Sequence, residues 1–271
     1  MPAIDSGKVS LHYRWAGAED GPVLVLSHSL GSSSVLWGSQ IATLGAKFRL
    51  LLYDHRGHGE SGAPPSPWRI DDFGNDVIRL LDELKLERVR FCGISLGGMV
   101  GMWLAQRAPD RLDRLVIANT SAFTENPALL RGRMELIERE GLESIVENVL
   151  ERWFTSGFRA KNSETVEIFR KQLLATPAAS YLATSAAICE LDLRPGLAGI
   201  STPMLVITGD NDQATPPAWG EAIAAATPGS KLRNLDAAHL SNVEAAEAFD
   251  AAVHEFFDWP QQGTEDAKIS F

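Results

Sequence analysis

Val89-Arg90-Phe91-Cys92-Gly93-Ile94-Ser95-Leu96-Gly97-Gly98 joins a short apolar run to a glycine-rich stretch that opens a second apolar segment. Gly93 to Gly97 reads G-x-S-x-G. A strand over Val89–Cys92 and a helix over Leu96–Ala108 make this a sharp strand-to-helix turn that lifts a serine hydroxyl out of the sheet. The flanking glycines are needed because a side chain at either would clash across the turn. Gly98 gives helix and strand further room to approach. Without that context the motif is a glycine-rich turn with an incidental serine; with it, Ser95 is the candidate nucleophile. A serine hydroxyl is a weak nucleophile and needs a base.

Outward from this turn, strand and helix alternate. Val23–Ser27, Phe48–Tyr53 and Leu115–Ala118 are further short apolar runs, read as strands buried on both faces. Helical stretches over Trp37–Leu44 and Ile70–Leu84 separate them. The rhythm implies a parallel sheet with right-handed crossovers. From Ala122 to Gly199 the strands stop. Leu130, Met134 and Ile137 recur at helical spacing, as do Leu142, Ile145 and Val149, which predicts three or four amphipathic helices. The alternation resumes with a strand over Met204–Thr208, a helix over Pro216–Ala226, a strand over Lys231–Leu235 and a helix over Glu244–Phe257. The expected organisation is a core of residues 1–121 and 200–258, a helical cap over 122–199 and a polar tail over 259–271.

The base must be a histidine that follows Ser95 in the chain order of this architecture, serine then acid then histidine. Only His239 and His254 qualify. His239 sits on a loop after the last strand, whereas His254 lies inside the final helix, so His239 is the candidate. The acid should follow a strand. Asn119-Thr120 ends one strand and offers no carboxylate, which leaves Asp210 or Asp212 after Met204–Thr208. The spacing G-x-x-D before Thr215-Pro216-Pro217 favours Asp212, and Asp210 is then a turn former or helix cap. A carboxylate there orients the imidazole and stabilises the imidazolium.

An oxyanion needs backbone donors. One is the N–H of Leu96, at a helix N-terminus. The other is expected from the loop Ser27-His28-Ser29-Leu30-Gly31-Ser32, with Leu30 at the donor position. The stretch Asp54-His55-Arg56-Gly57-His58-Gly59-Glu60-Ser61 matches no common zinc spacing and reads as a turn that supports the active-site loops.

Bulk properties narrow the setting. The chain has 271 residues, 45% of them hydrophobic, which suits one α/β domain with an insertion. Its net charge of -10 and pI near 5.1 disfavour nucleic acid and anionic membranes as partners. Cys92 and Cys189 form no metal-ligand or disulfide pattern, and no metal or other cofactor is implied. Residues Met1 to Ser10 lack an apolar core of the signal-peptide kind, and the apolar uncharged run Phe91–Ala105 is too short to span a bilayer. A reduced, cytoplasmic setting is the expectation, and a homo-oligomer stays open.

With these residues placed, the chain resembles the 3-oxoadipate enol-lactonase family of the α/β-hydrolase fold, from about Val9 to Phe257. The resemblance rests on Ser29-Leu30-Gly31, Tyr53-Asp54 with Arg56-Gly57-His58-Gly59, and Phe91 through Gly101. It continues with Leu115–Thr120, Glu151-Arg152-Trp153-Phe154-Thr155 in the cap, Asp212 with Ala214–Pro217, and Ala238-His239-Leu240-Ser241-Asn242-Val243-Glu244. Two positions depart: Ser29 stands where most hydrolases of this fold have glycine, and Leu130 where such enzymes often carry tryptophan. The resemblance implies a mostly parallel sheet flanked by helices and hydrolysis of a small anionic lactone, 3-oxoadipate enol-lactone, through an acyl-enzyme on Ser95. It also implies a cation for the acetate arm, Arg133, and a pocket wall at Trp153. Arg133 could equally be a solvated helix residue beside Glu135 and Glu138. Other readings are a different small-ester or carbon–carbon hydrolase, or a lactone receptor; a dehalogenase would carry aspartate at position 95.

Overall fold

The apolar runs become the centre of an eight-stranded sheet in the computed structural model, which describes residues 3–5 and 9–258. The strands are β1 (Ala3–Asp5), β2 (Ser10–Gly17), β3 (Val23–Ser27), β4 (Arg49–Tyr53), β5 (Val89–Ile94), β6 (Leu112–Ala118), β7 (Met204–Gly209) and β8 (Lys231–Leu235). Their spatial order is β1-β2-β4-β3-β5-β6-β7-β8. From β4 to β8 every pairing is parallel, and β1 and β2 add an antiparallel edge. The sequence reading missed that edge: Ser10–Gly17 mixes polar and apolar residues and only Leu11 and His12 are buried, so it lacks the continuous apolar signature of the central strands.

The helices are α1 (Gly38–Thr43), α2 (Ile70–Glu83), α3 (Leu96–Arg107), α4 (Pro127–Glu140), α5 (Val146–Trp153), α6 (Ser156–Lys161), α7 (Ser163–Ala175), α8 (Ala178–Cys189), α9 (Pro217–Ala226), α10 (Ser241–Glu244) and α11 (Ala246–Asp258). They cover both faces of the sheet. On one face α2 buries Ile70, Phe73, Val77, Leu80 and Leu81, a stripe at helical spacing, together with Met99 and Val100 of α3. The other face packs Leu24, Leu26, Leu50 and Leu52 against Trp37 and against Phe249 and Val253 of α11.

Five helices, α4 to α8, lie between β6 and β7, more than the three or four expected. The difference comes from short turns: Leu142–Ile145 is a 3-10 turn after Gly141, where φ is +84°, and Asn162 separates α6 from α7. This helical insertion leaves and rejoins the sheet side by side, since Phe123 bridges Asp192 and Leu193 N–H donates to Ala122 O at 2.7 Å. Its buried side chains, among them Val149, Trp153, Phe169 and Leu173, continue the apolar cluster of the α11 face. The expected final helix over Glu244–Phe257 is divided into α10 and α11 at Ala245. The expected polar tail over 259–271 lies outside the described residues. No helix among the described residues is long and apolar enough to cross a membrane.

Candidate active site

Ser95 holds φ +57° and ψ −116°, a left-handed conformation that a serine adopts only at a cost. The surroundings enforce it. Ser95 N–H donates to Ala118 O at 2.9 Å, and Thr120 Oγ1 donates to Ser95 O at 2.7 Å. A Cβ on Gly93 would stand 2.1 Å from Gly97 O, and one on Gly97 would stand 2.1 Å from Ser27 O. The turn therefore closes only with glycine at both positions, and its serine lies at the carboxyl end of a central strand.

Asp212 and His239 come together from neighbouring strand ends. Asp212 follows β7, His239 follows β8, and His239 Nδ1 lies 2.9 Å from Asp212 Oδ2. Asp212 accepts further hydrogen bonds: Oδ2 from Asn119 Nδ2 at 3.0 Å and Thr215 Oγ1 at 2.7 Å, and Oδ1 from the Ala214 N–H at 2.7 Å and the Thr215 N–H at 2.9 Å. Burial pushes the Asp212 carboxyl up, but the charge and hydrogen bond of His239 and the two Thr215 donors outweigh it and hold it below the usual 3.8. The carboxylate is thus a fixed anion that takes the Nδ1–H of His239 and leaves Nε2, at the opposite edge of the ring, for the cavity that His239 lines. Asp210 is exposed, and among the described residues the carboxylate that pairs with His239 is Asp212.

Asn119 was passed over in the sequence because it is no acid. Its backbone sits at φ +44°, and its side chain donates both to Asp212 Oδ2 and to Ala238 O at 3.2 Å, while its Oδ1 accepts from Ser241 Oγ at 2.5 Å. It ties the acid loop to the histidine loop. The only hint in sequence is an asparagine at a strand end, a residue that tolerates the left-handed region.

The loop after β3 is set by histidines. His28 Nδ1 donates to Ser29 O at 2.8 Å, and its Nε2 accepts the His55 N–H at 2.9 Å. Fixing the Ser29 carbonyl fixes the plane of the Ser29–Leu30 peptide, and with it the direction of the Leu30 N–H. Leu96 opens α3, so its N–H has no intrahelical acceptor. His55 Nε2 donates to His28 O at 3.2 Å, with Ser27 Oγ 3.1 Å away, and His58 Nδ1 donates to Arg56 O at 3.0 Å. Burial depresses all three rings; His28 adds a repulsion at both His55 and His58, and His58 falls to about 3. Asp54 accepts from the Ser34 and Glu60 N–H groups at 2.7 and 3.0 Å and from His12 Nδ1 at 3.0 Å. The Asp54–Ser61 turn is therefore a hydrogen-bonded scaffold, and no cluster of three potential ligands geometrically suited to a metal occurs among the described residues.

Ser95 and His239 open on one cavity of about 610 Å³, walled by the core on one side and the helical insertion on the other. Leu30, Leu130, Val149, Trp153 and Tyr181 make much of it apolar. Two arginines line it. Arg133 on α4 has no ion pair with Glu135 or Glu138 among the described residues. Arg152 on α5 donates to Gln213 O at 2.7 Å, and its buried Nε has no hydrogen-bond partner among the described residues. Burial and then the like charge of Arg133 lower the Arg152 guanidinium. Trp153 is buried, edge-on to Phe169, and its carbonyl accepts the Leu240 N–H at 3.1 Å, so the cavity wall is bonded to the histidine loop.

A strained serine at a strand end, a histidine held by a buried carboxylate, and a cavity roofed by an inserted helical segment define a hydrolase of the α/β-hydrolase fold; that family matches residues 22–246. The chain is 41% identical to 3-oxoadipate enol-lactonase 2 of Acinetobacter baylyi, across 90% of this chain and 92% of the relative. It is 35% identical to 3-oxoadipate enol-lactonase 1 of the same organism, across 86% and 87%. The crystal structure of the enol-lactonase from Burkholderia xenovorans LB400 superposes with a TM-score of 0.92 at 39% identity, covering 94% of this chain and 99% of that one. The chain belongs to the 3-oxoadipate enol-lactonase family of α/β hydrolases.

Proposed function

We propose that the protein hydrolyses 3-oxoadipate enol-lactone to 3-oxoadipate, with Ser95 as nucleophile, His239 as general base and Asp212 as the orienting acid. The observation that carries this reading is the shared cavity: Ser95 and His239 on its floor, an Asp212–His239 hydrogen bond of 2.9 Å behind them, and Arg133 and Arg152 on the wall formed by residues 122–199, which we take as a cap.

The mechanism follows from the geometry. His239 Nε2 accepts the Ser95 proton as Oγ attacks the lactone carbonyl, and Asp212 stabilises the imidazolium. The oxyanion forms against the Leu30 and Leu96 N–H groups, donors that need no reorganisation at the moment of reaction. The ring carbon–oxygen bond breaks as His239 gives its proton to the departing ring oxygen, and the enol leaves while still tethered to the acyl chain. Conversion of that enol to the ketone removes the nucleophile that would reclose the ring. Water then gives its proton to His239 and attacks the acyl-enzyme, and His239 returns that proton to Ser95 Oγ as the acyl bond breaks and the acid is freed.

The substrate carries an acetate arm, yet the protein is acidic overall, with net charge -10. Long-range attraction is therefore absent, and a local cation must offset desolvation of the arm. We assign Arg133 to it and Trp153 to the wall against the ring. Purified protein given enol-lactone should consume it catalytically and release 3-oxoadipate, followed by loss of lactone absorbance and by chromatography of the product. Stoichiometric binding without turnover would instead indicate a receptor, and rapid turnover of simple aryl esters with none of the lactone would indicate another esterase.

A further inference from the structure

Glu244 closes α10, five residues beyond His239, and is half-buried. Its Oε2 accepts the Ala238 N–H at 2.9 Å. Both of its oxygens lie 3.3 Å from the Thr155 N, and Oε1 accepts the Thr155 hydroxyl. No arginine, lysine or histidine pairs with it among the described residues. This carboxylate therefore spends its acceptor capacity on neutral donors from two places: the N–H of Ala238, the residue before His239, and the residue that follows the Trp153-Phe154 wall of the cap. The Leu240 N–H to Trp153 O bond, at 3.1 Å, runs parallel to it. The histidine loop and the cap wall are thus joined on both sides of His239. A carboxylate suits the task because hydrogen bonds to a charged acceptor are stronger than neutral ones.

We propose that Glu244 is a positioning residue that couples the cap to the base, holding Thr155 and Ala238 so that His239 and Trp153 keep one register. Lactone seated against the cap wall then meets an imidazole already aligned with Ser95. The inference rests on the reading of His239 as the base. It assigns Glu244 no contact with substrate.

Two isolated changes test it. Glu244→Gln keeps the shape but turns one acceptor into a donor that faces an N–H or O–H. Thr155→Asp keeps an oxygen for the Phe158 N–H, which Thr155 now caps at 3.2 Å, and makes the Glu244 contact repulsive. Each should lower kcat for the enol-lactone by roughly 10- to 100-fold, the usual consequence of a small misplacement of a catalytic group, with KM within about threefold. The double variant should be no slower than Glu244→Gln alone, because both changes break one link. Melting curves check that each variant is folded, and Thr155→Asp decides the matter if Glu244→Gln does not fold. Folded variants whose kcat stays within twofold of wild type, losses that multiply in the double variant, or a loss confined to KM would overturn the coupling. Ser95→Ala, assayed alongside, separates the two levels: an active Ser95→Ala removes the catalytic reading itself, whereas an inactive one with unaffected Glu244 and Thr155 variants removes only the coupling.

Discussion

Two groups of buried histidines stand on either side of β5 in the sheet, and they differ in what can happen to a proton. His239 has a buried anion behind it, Asp212, and an open cavity in front. His28 and His55 have no such pair: their ring nitrogens meet backbone carbonyls, a backbone N–H and a serine hydroxyl, and His58 donates to a carbonyl. A neutral ring satisfies those partners, and burial penalises a charged one. Burial alone says little about a histidine's role. A compensating carboxylate and access to a cavity suit a ring to moving a proton, while neutral hydrogen-bond partners suit a ring to holding a loop in shape.

The widest gap between the two groups should appear in kcat. His239→Ala is expected to lose roughly 10⁴- to 10⁶-fold, since such catalytic groups act as a unit, while His58→Gln should stay within a few fold. Comparable losses in both, in steady-state assays on folded protein, would erase the distinction. The carboxylate behind His239 comes next. Asp212→Asn should cost roughly 10⁴-fold by favouring the wrong imidazole tautomer, and Asp210→Asn should be close to wild type. The reverse ranking would move the acid to Asp210.

Smaller effects sharpen the scaffold side. His28→Phe frees the Ser29 carbonyl and with it the Leu30 donor, so kcat should fall by up to about 10²-fold, the scale of a lost oxyanion donor, with KM little changed. His28→Asn, which offers an amide N–H, should recover part of that; a loss in KM alone would show that the loop shapes binding instead. At the cap, Arg133→Ala should reduce kcat/KM for the anionic lactone by about 10- to 150-fold, the worth of a charge-assisted hydrogen bond of roughly 1.5–3 kcal/mol. Hydrolysis of a small uncharged aryl ester should barely change. An equal fall on both substrates would mark Arg133 as structural, and no fall on either would move the anchor to Arg152.

The gentlest effect concerns acid stability. Each scaffold histidine has a folded value below its ordinary 6.5, so the unfolded chain binds more protons as pH drops under 6.5. Their contribution is fully present above that value and is lost as pH falls toward the folded values, about 3 for His58. Asp212, also depressed, begins to lose its contribution only below its ordinary 3.8. Melting temperature should therefore decline between pH 6.5 and 5, and His58→Gln should flatten that decline. An unchanged slope in the variant would show that His58 is not held neutral.

Much of this was legible in the chain, and the limits have physical causes. Central strands such as Val23–Ser27 are continuous apolar runs because helices cover both faces, and Gly93 and Gly97 advertise the turn because nothing larger fits. The antiparallel strand Ser10–Gly17 carries no such signature, being half solvated. The helices inserted between β6 and β7 are interrupted at Gly141 and Asn162, where helical periodicity runs on while the backbone does not. Polar partnerships were the least visible. Asn119 reaches Asp212 across 93 positions and Thr155 reaches Glu244 across 89, and the sequence states no distance between them.

The central claim is that Ser95 carries the acyl group while His239 moves the proton. Rapid acid quench of wild-type protein during turnover of the enol-lactone, followed by mass spectrometry of the peptide that contains Ser95, addresses it directly. An adduct equal in mass to the lactone, present on Ser95 in the first turnovers and absent in Ser95→Ala together with the activity, is the expected result. Activity in Ser95→Ala within tenfold of wild type, or an adduct on any other residue, would contradict the account.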